Sequence, residues 1–166
     1  MRFDSIRIKG IGPFRDEASV DLSAVPGKLI AIAGINGSGK STLLEALVGS
    51  VTRNTPTRGS LVDLATARDA FVEVRLVNGA THTLRHTVDG VARTAEALVL
   101  DEGGAPVLST TSVKAFDAWA KSHMPAPEVL LASTFSAQGD GGFLEMPAGE
   151  RKQVLARTLG IEDYER

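Results

Sequence analysis

Eight residues, Gly34-Ile35-Asn36-Gly37-Ser38-Gly39-Lys40-Ser41, constrain this chain more than any others, because they fit G-x-x-x-x-G-K-[ST] between an apolar run and a helix-forming one. The run Leu29-Ile30-Ala31-Ile32-Ala33 is apolar at every position, the mark of a strand buried on both faces at the centre of a sheet. From Ser41 the residues TLLEALVGS have helical spacing and good helix formers. A glycine-rich loop between such a strand and helix curls so that its N–H groups converge on an anion, and the helix N-terminus adds partial positive charge. The expectation is an α/β fold around a phosphate cradle made by Gly34, Asn36, Gly37, Ser38 and Gly39. Lys40 then reaches the β- and γ-phosphates of a nucleotide, Ser41 offers a hydroxyl to Mg²⁺, and Thr42 bonds the α-phosphate. A glycine turn that bound nothing would leave Lys40 without a reason.

The flanks read as short elements. Ile6 and Ile8 alternate with charged residues, as do Ala18, Val20 and Leu22 after GIGPF, which predicts two antiparallel strands. Phe71–Val77, Thr81–Val88, Val91–Thr94 and Ala97–Leu100 are strand-like runs separated by Asn78-Gly79 and Asp89-Gly90, strong hairpin signals, and so predict an antiparallel meander. Ser112 is positioned to cap a helix with Val113, Phe116, Trp119 and Ala120 on one face, ending before Pro125. Pro147 suits the first turn of a last helix whose buried stripe is Val154, Leu155, Thr158 and Leu159, with Gly160 as its stop.

Composition narrows the setting. The 166 residues suffice for one domain with a core, and a net charge of −2 means that any nucleic-acid contact must come from a local patch or a partner chain. Without cysteine, disulfides and Cys-ligated zinc are excluded. The start lacks a signal-peptide core and the longest apolar runs fall short of a membrane span, so a cytoplasmic protein is expected.

The stretch ALVLDEGG, ending in Asp101-Glu102 and a glycine pair, has two readings. Lying about sixty positions after Lys40, it matches the acid-bearing strand of a small complete P-loop enzyme, a kinase or GTPase with Asp101 on Mg²⁺ and Glu102 as base. An acid-bearing strand must, however, run parallel beside residues 29–33 through a crossover, whereas tight hairpins precede this one, and Gly103-Gly104 reads as the next turn before Pro106-Val107-Leu108. His82 and His86 share one face of a predicted strand but lack a third metal ligand, and Arg75, Arg85 and Arg93 offer a basic stripe or simply a solvated charged face.

Three segments together resemble the N-terminal halves of SbcC-type DNA-repair ATPases, relatives of the structural-maintenance-of-chromosomes (SMC) proteins: IRIKGIGPFRDEASVDL, LIAIAGINGSGKSTLLEAL and TFSAQGDGGFLEMPAGERKQVLARTLGIEDYE. The resemblance implies an ABC-type N-terminal lobe, with a mixed sheet around the P-loop helix and the meander as a variable antiparallel lobe. It makes Gln138 the Q-loop glutamine, joining Ser41 on Mg²⁺ and sensing the γ-phosphate, and brings Asp63, Leu64 and Ala65 near the nucleotide. The spacing from Lys40 to Gln138, filled by the meander, suits an SMC-like head better than a transporter domain. No LSGG-like string occurs, and Asp101-Glu102 falls where the family has hairpins. Residues 1–160 therefore resemble half of an ATPase head and 161–166 the start of its coiled coil, with no catalytic residue in this half. The implied ligands are ATP and Mg²⁺. The implied partners are the C-terminal half, a second head in a homodimer, an SbcD-type nuclease and double-stranded DNA, in a cytoplasmic, nucleoid-associated setting.

Overall fold

The computed structural model describes residues 1–25, 30–55, 57, 59–127, 129, 130 and 147–159, without the side chains of 157–159. Two compact units divide the chain, Met1–Met124 and Pro125–Arg166. The first holds β1 (Arg2–Lys9), β2 (Ala18–Asp21), α1 (Lys40–Thr52), β3 (Asn54–Thr55), β4 (Gly59–Ser60), α2 (Leu61–Leu64), β5 (Ala70–Asn78), β6 (Ala80–Asp89), β7 (Thr94–Leu100) and α3 (Val113–His123). The second holds α4 (Ala148–Leu159).

One sheet of order β2-β1-β5-β6-β7 organises the larger unit, and every described pair in it is antiparallel. The period of two sends Ile6, Ile8, Val72, Val74, Leu76, Leu84, His86, Val88, Ala97 and Val99 to one face, where all are buried. α1 packs on this face against β5 and β6, and α3 packs against β7. Between Thr42 and Val51 only Leu44 of α1 is exposed, so the helix is enclosed almost all round, and its buried polar groups find partners: the Glu45 carboxylate accepts from Thr57 Oγ1 and Ser50 Oγ donates to Leu47 O. The opposite face carries an ionic cover. Arg7 bonds Glu17 and Glu73, Arg85 bonds Glu73 at 3.2 Å, and both guanidinium groups lie over the Phe71 ring.

The sheet's two edges are closed differently. β2 has four residues and ends at Asp21, whose Oδ1 accepts hydrogen bonds from the Ser23 and Ala24 amides. Along β7, Val107 N donates to Val99 O and Ala97 N to Thr111 O, so the following chain occupies that edge.

Several expectations need correction. Residues 30–34 form no strand, and Ile30 and Ile32 are 41% and 37% exposed, so the described residues cover them only in part, Ile32 sharing a cavity wall with Phe14 and Leu43. Leu29 lies outside the described residues. Val91–Thr94 is mostly turn, since Asp89 Oδ1 accepts from the Val91 and Ala92 amides and bends the chain there. The return after Gly104 makes a single bridge, Leu100 to Pro106, because proline has no N–H to extend a ladder. α3 is capped by Ser112 Oγ and buries Phe116 and Trp119 as expected. In α4, Val154 is buried but Leu155 is 48% exposed, which narrows the expected stripe.

Candidate functional site

The loop from Gly34 to Lys40 enters α1 through two residues in the left-handed region, Gly37 at φ +82° and Gly39 at φ +98°. Side chains other than glycine adopt that region at a cost, and Gly39 is doubly restricted. A Cβ there would lie 2.7 Å from Pro13 Cγ and 2.8 Å from two Phe14 ring atoms. No acidic residue occupies the first turn of α1, so its partial positive charge is left uncompensated on the protein side. Lys40 Nζ donates to Gly34 O and Ile35 O, both at 2.8 Å, folding the ammonium across its own loop. Beside it is a cavity of about 280 Å³ lined in part by Phe14, Ile32, Gly34, Ser38, Lys40 and Leu43. Ser41 is exposed in the first turn next to Lys40, whereas Thr42 is buried. Chemically the loop can serve an anion and a hard cation: a helix N-terminus without an acidic neighbour, a movable ammonium and the exposed Ser41 hydroxyl. Gln138, the expected second metal ligand, lies outside the described residues.

Asp63, Leu64 and Ala65 are held by other business. Asp63 Oδ2 accepts from the Ser60 amide and hydroxyl, both at 2.8 Å, closing a capping box on α2, and Oδ1 pairs with Arg93. Arg93 first, and the Ser60 donors after it, hold this carboxyl well below the usual carboxylate range. Leu64 is buried in the core, and its carbonyl accepts from Gly12 N at 2.8 Å, while Ala65 bridges Ile11. These residues thus reach the cradle through an intermediary, the turn Gly10–Phe14, to which the sequence pattern assigned no role beyond separating the first two strands. The signal was present in its Gly-Ile-Gly-Pro punctuation.

Asp101 and Glu102 do not approach the cradle as an acid-bearing strand would. β7 runs antiparallel to β6, and Asp101 closes a turn: its Oδ1 accepts from Ala105 N at 2.9 Å, its carbonyl from Gly104 N at 3.0 Å. The histidines serve packing. His86 Nε2 lies 2.8 Å from Ser50 O, and since a carbonyl only accepts, that nitrogen carries the proton. Burial, partly offset by this bond, lowers His86 to about 4. His82 meets the Trp119 ring edge-on at 5.1 Å. Among the described residues no group of three or more His, Cys, Asp or Glu side chains could hold a metal. The basic stripe does not form, because Arg75 and Arg85 lie on the sheet's outer face while Arg93 sits in the β6–β7 turn, paired with Asp63.

A family profile described as an AAA domain matches residues 5–89, the span from β1 through the phosphate loop to the end of β6. The chain belongs to the AAA-domain family. Curated relatives of this AAA domain include the zinc import ATP-binding protein ZnuC of Pseudomonas entomophila, 33% identical over 109 residues, covering 60% of this chain and 41% of that protein. The lipoprotein-releasing system ATP-binding protein LolD of Bordetella avium is 32% identical over 151 residues, 89% of this chain and 62% of its own length. The hemin import ATP-binding protein HmuV of Gloeobacter violaceus is 52% identical over 42 residues, 25% of this chain and 14% of that protein. The chain therefore spans less than two thirds of each of these relatives. Among solved structures, the SMC head domain from Thermotoga maritima aligns with 96% of this chain and 72% of that one, at 17% identity and a TM-score of 0.46.

Proposed function

We propose that this AAA domain is the MgATP-binding N-terminal half of an SbcC-type DNA-repair ATPase head. The observation that carries the reading is the pairing of a built phosphate cradle with a partly uncovered apolar lead-in: Ile30 and Ile32 stand exposed directly before Gly34. In this reading the C-terminal half covers residues 30–33 and brings the signature loop and catalytic glutamate, residues 1–160 are the half-head, and 161–166 begin the coiled coil. On ATP binding, Lys40 leaves the Gly34 and Ile35 carbonyls for phosphate oxygens, the loop amides and Thr42 hold the remaining phosphates, and Asp63, Leu64 and Ala65 lie near the nucleotide by way of the Gly10–Phe14 turn. Ser41 and Gln138 would hold Mg²⁺, which would supply charge neutralisation at the phosphates when bound. Two such heads enclose two nucleotides, and the engaged state regulates an SbcD-type nuclease on double-stranded DNA in a cytoplasmic, nucleoid-associated complex. Among the described residues no helix is long and apolar enough to cross a membrane.

The test is calorimetric and enzymatic on the same preparation. The 166-residue chain is expected to bind MgATP and to release phosphate negligibly until the C-terminal half is added. Robust turnover by the chain alone would sink the half-head reading and return attention to Asp101 and Glu102.

A further inference from the structure

We propose that Phe14, acting with Pro13, is a positioning residue for the phosphate loop: the β1–β2 turn braces Gly39 and Thr42, and so sets where Lys40 and Ser41 meet a nucleotide's phosphates. The inference rests on the MgATP-binding reading above. The turn touches the loop on both sides of the Lys40-Ser41 pair. Before the pair, the space a Gly39 Cβ would need is filled by Pro13 Cγ at 2.7 Å and the Phe14 ring at 2.8 Å. After it, Gly12, itself at φ +53°, lies so close to Thr42 that a Cβ would sit 2.8 Å from Thr42 Cγ2. Only a bare backbone on one side and a shaped wedge on the other allow this double approach.

The brace is anchored. Gly10 N donates to Phe14 O at 2.6 Å and Phe14 N to Ile11 O at 3.0 Å, which fixes the turn internally. Thr66 N and Oγ1 both donate to Gly10 O, at 2.7 and 3.1 Å, and Gly12 N donates to Leu64 O, which ties the turn to the segment after α2. Phe14 also walls the cavity beside Lys40. Shortening its ring enlarges that cavity and frees Gly39 to leave the left-handed conformation in which α1 begins. A loop that must present its amides within a fraction of an ångström loses affinity when its support loosens, even if the fold survives.

The experiment compares the full chain with Phe14→Ala, Phe14→Leu and Pro13→Ala, measuring dissociation constants for MgATP and Mg-pyrophosphate by calorimetry and the melting temperature without ligand. Phe14→Ala is expected to weaken both ligands by about tenfold and Pro13→Ala by about threefold, with Phe14→Leu recovering most of the loss. Equal losses for both ligands are expected because the effect lies at the phosphates. A role in stability alone would lower melting temperatures and leave both constants unchanged, which overturns the proposal, as does a loss for MgATP without one for pyrophosphate. Pro13 is exposed, so Pro13→Ala decides the matter if Phe14→Ala fails to fold: unchanged affinity there overturns the brace. Failure of the unsubstituted chain to bind either probe would instead sink the functional reading.

Discussion

Lys40 commits its charge to two carbonyls of its own loop, so its removal takes away a ligand contact without opening a hole in the core. Lys40→Ala is expected to weaken MgATP binding about a hundredfold while the melting temperature moves little, as calorimetry and thermal unfolding would read together. At the acidic candidates the expectation reverses. Glu102→Gln should change neither binding nor turnover, and Asp101→Ala should cost about 1 kcal/mol of stability in urea unfolding through its lost bond to Ala105 N. The contrast marks what a sequence carries at this scale. Residues 34–42 were legible because their chemistry is local: glycines where the backbone turns left-handed, then a cation and hydroxyls on one helical turn. Asp101-Glu102 has similar local credentials, and only the direction of β7 beside β6 separates a metal ligand from a turn closer.

At the level of elements, α1 is the member that joins the cradle to the sheet, and its far end is tightly built. Gly49 accommodates Leu61, whose Cδ2 would be 2.7 Å from an added Cβ. Gly49→Ala should therefore cost about 1–3 kcal/mol despite alanine's better helix propensity, measurable by chemical denaturation. The Ser50 carbonyl is held by His86, between Phe116 and the Arg53–Asp117 ion pair at the helix end. Because His86 titrates near 4 in the fold and near 6.5 when unfolded, the unfolded chain binds more protons in that window. Stability from this group is present above about pH 6.5 and is lost as the pH falls towards 4, on the order of 3 kcal/mol. His86→Gln keeps a donor without a titration, so its unfolding free energy should fall less steeply than that of the unsubstituted chain between pH 6.5 and 4. The hairpins of this lobe were readable from Asn78-Gly79 and Asp89-Gly90. Which residue types α1 would meet was not, because a helix enclosed on nearly every side has no periodicity that names its neighbours.

For the molecule as a whole, residues 30–33 mark where prediction and structure part. An unbroken apolar run encodes burial on both faces but not who supplies it, and here the described residues supply it only in part. The double substitution Ile30→Ser with Ile32→Ser should leave stability of the isolated chain within about 0.5 kcal/mol. On the proposed reading it should also abolish co-purification with a C-terminal half; retained co-purification would count against residues 30–33 as the covered surface. The sheet's edges then acquire a meaning of their own. With a four-residue strand ending in an aspartate cap on one side and a backbone-bonded return on the other, the ladder of β2-β1-β5-β6-β7 is finite. It offers poor templating for runaway strand addition, so the partly exposed apolar residues 30–33 lie beside a sheet that does not itself seed fibrils.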